Sequence, residues 1–400
     1  MLLVEQHIIK KNHRFYSECD MLCFKSKNLY NSGLYSVRQH YFNEKTFKNG
    51  YTLINEFSTE NQFDYRELPS KVSQHTLKLV EQNFKAFFGA LKAKKKTSTS
   101  KPIRVPKYLH KTKGRQIVVY TNQALSTPLL KKGILKPSQT NIEIKMFAKT
   151  DSIQQLRIVP KPNHYVIEIV YKKEITPLKD DNGRWASIDL GLNNLATVGS
   201  NVISPIIING KPLKSINQFY NKTLAKLTSQ SKNKSTKRIS RLHFKRNNKI
   251  KDYLHKATKC IVNHLVSNSI NSLVIGNNKE WKQEINIGRV NNQNFVNIPH
   301  TRFIEMMEYK CLLQGINVIT NEESYTSKCS FLDNESVKKH EHYKGKRIKR
   351  GLFRSGNGTL INADVNGSLN ILKKAVINAF DKVNVIEVSS SPMVHTIKFN

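Results

Sequence analysis

Ile188-Asp189-Leu190-Gly191-Leu192-Asn193-Asn194-Leu195-Ala196-Thr197-Val198 is the stretch on which the fold turns. It reads as a strand carrying one acid among hydrophobes, a tight turn at Gly191, and a second strand. An Asp amid strand hydrophobes is costly unless it is paired or holds a cation. A metal ligand fits that position; taken alone, an Asp before a Gly turn is ordinarily just a turn former. A second acid, Asp364, lies in Ile361-Asn362-Ala363-Asp364-Val365-Asn366-Gly367-Ser368-Leu369-Asn370-Ile371. It falls in the first turn of a helix, where a carboxylate meets the helix dipole favourably. Capping and ligation both remain open there.

Outward from these segments the chain changes character in blocks. Residues 2–9 alternate as a strand. Apolar positions at spacings of three and four then predict helices over about 13–96, the second long one starting at Leu68-Pro69-Ser70 with Ser70 as its cap. Lys92, Lys94, Lys95 and Lys96 lead into a polar linker. Short alternating runs at 117–120, 142–144, 156–159 and 165–171, punctuated by Pro and Gly, predict a small β-barrel or sandwich that also takes the N-terminal strand. Asp180-Asp181-Asn182-Gly183 reads as a boundary. A mixed α/β region follows: strands at 185–190, 195–198, 202–208, 272–276 and 316–320, helices at 214–268, 299–314 and 363–380, then an extended tail from 381 to 400.

The 400 residues carry a formal charge of +37, from 66 Lys and Arg against 29 Asp and Glu. So large an excess would repel itself in a compact chain unless a polyanion neutralises it, which points to nucleic acid. The cations are clustered. One run, Lys232, Lys234, Lys237, Arg238, Arg241, Lys245, Arg246, Lys249, Lys251 and Lys256, is opposed only by Asp252 and predicts phosphate contacts. Another spans Lys338, Lys339, Lys344, Lys346, Arg347, Lys349, Arg350 and Arg354, with Phe353 among them. No apolar run approaches the roughly 18 residues of a membrane helix, and no secretory signal is evident. Five cysteines without CxxC pairs imply a reducing cytoplasm and no disulfide framework. Cys19 and Cys23 read as core.

I-D-L-G-L-N-N-L-A-T, E-S-Y-T-S-K-C-S, G-K-R-I-K-R-G-L-F and I-N-A-D-V-N-G-S-L-N-I, in that order over about 184–375, resemble the RuvC nuclease domain of the TnpB proteins, relatives of the type V CRISPR effectors. The resemblance implies a fold of three parts. An α/β RNase H-like (RuvC) nuclease domain would occupy 181–380, with a helical insertion at 211–268 and a degenerate zinc-ribbon-like insertion at 326–360. A β-barrel wedge domain would take 1–12 and 97–180, and an α-helical recognition domain would be inserted at 13–96. The implied activity is RNA-guided cleavage of double-stranded DNA beside a short flanking motif. The guide RNA would come from the transposon end, and the setting would be the prokaryotic cytoplasm and nucleoid. A monomer bound to its RNA is the expected form.

In such a site three carboxylates hold two Mg²⁺ (or Mn²⁺) ions about 3.5–4 Å apart. By resemblance Asp189 is the first acid and Asp364 the third. The second departs from the family: its usual glutamate ends the strand equivalent to Ser272–Ile275, where this chain has Gly276-Asn277-Asn278. The next strand, 316–320, runs to Asn321-Glu322-Glu323, and a glutamate there would be offset by one strand spacing, about 4.8 Å. Glu323 is the expected replacement, ahead of Glu322; Glu280 and Glu284 are further candidates. If none substitutes, the chain would be a nuclease-inactive RNA-guided DNA-binding repressor. Zinc is not expected, because Cys329, His340 and His342 are one ligand short of a closed tetrahedron. Lys71, Gln74 and Gln82 share one helix in the region that, by resemblance, reads the flanking motif. Arg347 and Arg350 are expected on nucleic-acid backbone near the cut, and Trp281 and Lys282 along the channel.

Overall fold

The computed structural model describes residues 1–96, 102–148, 152–231, 236–277, 298–381 and 383–399. The chain divides into two units, Met1–Lys173 and Glu174–Asn400. The division precedes the expected boundary at Asp180, because residues 176–179 are tied into the second unit. Thr176 Oγ1 donates to Leu313 O at 3.0 Å, and Lys179 N to Gly315 O at 2.9 Å.

In the first unit, β1 (Leu2–Lys10) is followed by helices α1 (Tyr16–Glu44), α2 (Gly50–Thr59), α3 (Phe63–Arg66) and α4 (Ser70–Lys96). Then come β2 (Val118–Thr121), a single turn α5 (Thr127–Leu130), β3 (Ile134–Leu135), β4 (Ile144–Lys145), β5 (Ile153–Lys161) and β6 (His164–Lys172). Among the described residues these strands form an open antiparallel sheet, β1-β6-β5-β2, and a separate β3-β4 pair, in place of the expected closed barrel. Of the strands between Pro102 and Pro162, β2, β3 and β4 are only two to four residues long and leave little to close a barrel with. One core joins helices to sheet: Leu22, Leu29, Leu34, Leu77 and Phe84 pack with Tyr120, Ile158 and Ile167. Gly33 lets α1 and α4 approach, since a Cβ there would lie 2.6 Å from Leu77 Cδ2.

The second unit begins with a meander of β7 (Trp185–Leu190), β8 (Asn194–Ser200) and β9 (Ile206–Asn209). Helices α6 (Lys211–Ser229) and α7 (Lys237–Ser267) lead to β10 (Ser272–Gly276), and α8 (His300–Leu312) to β11 (Asn317–Asn321). Strands β10 and β11 run parallel to β7 on its other side. Three short strands, β12 (Lys346–Lys349), β13 (Leu352–Arg354) and β14 (Leu360–Asn362), form their own antiparallel sheet ahead of α9 (Ala363–Ala375). Helix α9 stops at Ala375, short of the expected 380, where Val376 leaves helical geometry (φ −125°, ψ 105°).

The tail differs from expectation. It forms one turn, α10 (Val385–Val388), and then β15 (Met393–His395), which pairs parallel with β9 and completes the order β11-β10-β7-β8-β9-β15. Three residues are too few for a periodic signal, and the open edge of β9 supplies the hydrogen bonds that fix them as a strand.

Helix α7 shows how the sequence pattern becomes packing. Thr236 caps it, its hydroxyl accepting from Ile239 N at 3.2 Å. Ile250, Tyr253, Leu254, Ala257, Ile261 and Leu265 recur at helical spacing and are buried against the sheet core. Lys237, Arg238, Arg241 and Lys245 are exposed on the same helix. Leu254→Ala should therefore destabilise the unit by about 2–5 kcal/mol in urea unfolding, whereas Lys245→Ala should stay within about 0.5 kcal/mol.

Candidate active site

Register decides which acids can meet. Ile188 lies level with Ile275 of β10, which lies level with Thr320 of β11. One residue further along, Asp189, Gly276 and Asn321 share the next level. A side chain at 276 would point to the same face as Asp189, one strand spacing away. Gly276 has none. A Cβ built there would stand 2.6 Å from Glu323 Oε2 and 2.6 Å from Ile371 Cδ1. The Glu323 carboxyl, two residues past the end of β11, thus reaches back into the space that Gly276 leaves beside Asp189.

Helix α9 closes the site from above the sheet. Its cap is Asn362, whose Oδ1 accepts from Asp364 N at 2.9 Å and Val365 N at 3.2 Å. With the cap supplied by Asn362, the carboxylate of Asp364 is left to the site; the capping reading of this acid does not hold. Its Oδ2 accepts from Asn194 Nδ2 at 2.6 Å, and its Oδ1 faces Arg347 Nη2 at 3.3 Å. One turn on, a Cβ at Gly367 would fall 2.8 Å from Asp189 Oδ2. Glycine there lets the helix lie directly on the first acid.

The electrostatics follow. Burial drives the Asp189 carboxyl well above the usual carboxylate range, and the charges of Glu323 and Asp364 add to it, opposed by Arg347. Burial first, then Glu322, pushes Glu323 up to about 7, with Lys374 opposing. Glu322 goes the other way: a hydrogen bond from Lys374 Nζ, 2.5 Å from Oε2, holds it below its ordinary value, and it also caps Ser324 N at 2.9 Å. It is 54% exposed and engaged away from Asp189. The structure therefore sets the adjacent glutamates in opposite environments.

The inner donors are carboxylate oxygens alone, a set that suits hard cations such as Mg²⁺ or Mn²⁺. Among the described residues no group of three or more His, Cys, Asp and Glu side chains is already drawn together at metal-holding distances. Each Asp364 oxygen already accepts one bond, from the amide or the guanidinium just named, so a cation at Oδ1 competes with Arg347.

Other predicted residues fall in different places. Lys71 and Gln82 are exposed and Gln74 half-buried on α4. Arg246, expected on phosphate, is turned inward: its Nε donates to Asn217 Oδ1 at 2.9 Å and its guanidinium stacks 5.0 Å from the Tyr220 ring centroid, joining α7 to α6. Arg350 is exposed beside Arg347. Cys329 is buried with Sγ on Lys338 O, while His340 Nε2 meets Ser336 O at 2.8 Å. Lys232, Lys234, Glu280, Trp281, Lys282 and Glu284 lie outside the described residues. Asn194 and Lys374 escaped the sequence reading. An amide and an amine at these spacings carry no signal until the fold brings them to Asp364 and Glu322.

Residues 168–282 match the OrfB_IS605 family, described as a probable transposase, and residues 300–371 match the Cas12f1-like TNB domain. These stretches are thus similar to the OrfB_IS605 and Cas12f1-like families, and the resemblance read from the motifs is borne out. A CRISPR-associated endodeoxyribonuclease Cas12f2 from a Micrarchaeota archaeon is 28% identical over 232 residues, 54% of this chain and 41% of that protein. The TnpB-like protein ORF457 of Acidianus two-tailed virus is 27% identical over 224 residues, 51% of this chain and 45% of that protein. The matches thus span less than half the length of either relative. Among solved structures, the mini-RNA-guided endonuclease CRISPR-Cas_phi3 overlaps 94% of the chain and 92% of its own at 11% identity, TM-score 0.46. An overlap this loose defines no residue correspondence.

The causes of the Glu323 shift give a direct check. In the cation-free protein, NMR of labelled glutamate carboxyls should show Glu323 titrating near 7. Glu322→Gln should lower that midpoint, because it removes a like charge, and Lys374→Met should raise it, because it removes an opposite one.

Proposed function

We propose that this chain is an RNA-guided DNA endonuclease, dependent on Mg²⁺ or Mn²⁺, that cuts target DNA next to a short flanking motif under direction of a guide RNA from its own transposon end. The observation that carries the proposal is the Glu323 carboxyl lying in the gap at Gly276, at the level of Asp189. A mixed sheet with the acid-bearing β7 at its centre and a helix carrying the last acid across it supports the RNase H-like reading. The family matches over 168–282 and 300–371 cover the segments that supply all three acids and agree with it.

In this reading Asp189, Glu323 and Asp364 would hold the divalent ions, which supply an activated water and stabilise the leaving oxygen of a phosphodiester. The protein's own share is positional and electrostatic. Asp189 is held rigidly by β7 and by the glycine face of α9. Glu323 must lose its proton to act as a ligand, so protons compete with the cation up to about pH 7. Arg347, released from Asp364, presents a guanidinium suited to a phosphate oxygen. Exposed Lys237, Arg238, Arg241 and Lys245 on α7 and the +37 charge of the chain fit long contacts with RNA and DNA backbones. Guide pairing would supply sequence specificity, with Lys71, Gln74 and Gln82 offered to the flanking motif.

The test is plasmid cleavage by protein co-expressed with its element-end transcript, the target lying beside a randomised flank. Asp189→Ala should abolish cutting, and Glu323→Gln should slow it at least about 100-fold, the scale on which losing a positioned electrostatic group acts. Glu322→Gln should cut much like the parent. The rate should climb as pH rises through about 7. Guide-dependent binding with no cutting in the parent chain would select the repressor reading instead. Full activity in the Glu322→Gln, Glu323→Gln double variant would remove both glutamates from the site.

A further inference from the structure

Helix α9 is buried almost all round, yet three of its fully buried side chains, Asn366, Ser368 and Asn370, are polar. Ser368 serves the sheet: its Oγ accepts from Gly199 N at 2.9 Å and its carbonyl from Ser187 Oγ at 2.6 Å. The two asparagines, four residues apart and so on one face, serve the loop after β11. Asn366 accepts from Phe331 N at 2.9 Å and donates to Cys329 O at 2.9 Å. Asn370 donates both amide protons to carbonyls, Thr326 O at 2.9 Å and Cys329 O at 2.8 Å. The opposite flip would set its oxygen against two acceptors. The Asn370 Oδ1 is left without a partner among the described residues. Leaving a buried acceptor unpaired is costly, so what this side chain contributes is the grip on those two carbonyls.

Both carbonyls belong to the turn that carries Glu323. Thr326 N and Oγ1 donate to Glu323 O at 3.3 and 2.8 Å. Between the two residues Tyr325 sits at φ 68°, a left-handed conformation disfavoured for an aromatic side chain. Its own carbonyl takes Lys328 N and Cys329 N at 3.0 and 3.1 Å. Strain of that kind persists only where surrounding contacts over-determine it.

We propose that Asn370 is a positioning residue for Glu323: by gripping the carbonyls of Thr326 and Cys329, it keeps the strained turn closed and the Glu323 carboxyl in the gap at Gly276. Helix α9 then sets the third acid directly, through Asp364, and the second at a distance, through Asn370. This rests on the carboxylate site proposed above.

Mn²⁺ binding to the full-length protein with its RNA, followed by electron paramagnetic resonance, tests the idea alongside cleavage rate and melting temperature. Asn370→Ala should weaken Mn²⁺ binding and slow cleavage by about 10–100-fold, the usual effect of losing a group that orients a ligand, with guide-dependent DNA binding intact. Asn366→Ala, which leaves Thr326 O and its link to Glu323 gripped by Asn370, should lower the melting temperature to a similar extent while weakening Mn²⁺ binding less. Thr326→Val keeps the Asn370 contacts and removes only the hydroxyl bond to Glu323, so it should show the same loss in weaker form even if Asn370→Ala fails to fold. Tyr325→Gly, which relieves the left-handed strain, should restore part of the Asn370→Ala loss. Parent-level Mn²⁺ affinity in Asn370→Ala, or in Thr326→Val if the former does not fold, would overturn the proposal and leave Asn370 as core. If the parent chain binds Mn²⁺ no better than Asp189→Ala and Glu323→Gln, the carboxylate site itself falls, and the proposal with it.

Discussion

The Asp189 carboxyl is taken out of water on the central strand of a sheet, against a helix whose Gly367 has no side chain to keep it away. Burying a carboxylate is expensive unless something meets its charge, and here two further acids are aimed at it. Much of the second unit follows from holding that arrangement. Asn362 caps α9 so that Asp364 need not. Asn194 and Arg347 meet Asp364, and Lys374 draws off Glu322 while Glu323 stays half-buried. An ordinary core would place apolar side chains at these positions; the concentration of compensations marks the place where charge is wanted.

The rearranged acid is a problem in spacing with a simple physical answer. At the ends of two adjacent parallel strands, positions on one level are a strand spacing apart, well within the reach of a glutamate side chain. A glutamate just past β11 can bring its carboxyl to the end of β10, provided the position there is small. Gly276 meets that condition, since any Cβ there collides with Glu323 Oε2. The glycine and the glutamate fit each other in space, although they stand far apart in the chain.

Much was legible in the sequence. The strand–turn–strand around Asp189 needed only alternation and Gly191, and the long amphipathic run of α7 needed only its period. Glu323 was separable from Glu322 by its place in the string E-S-Y-T-S-K. Other features depend on distant partners. The barrel became an open sheet because the short β2, β3 and β4 take their pairing from neighbours rather than from their own pattern. The C-terminal residues read as a loose tail, since three residues of β15 become a strand only along the open edge of β9. Arg246 looked like one cation in a phosphate-binding run, and only packing of α6 on α7 sets it over Tyr220.

The sequence by itself determined that this chain is strongly basic, with a mixed α/β C-terminal half and two acids in ordered motifs. Charge and short-range periodicity are local quantities, written wherever the residues stand. Tertiary structure alone decided which glutamate faces Asp189, which side chain caps α9, and which cations are spoken for. Those outcomes are set by strand register and helix packing between residues dozens of positions apart, where a few ångströms separate a buried acid with a raised pKa from an exposed one paired with a lysine.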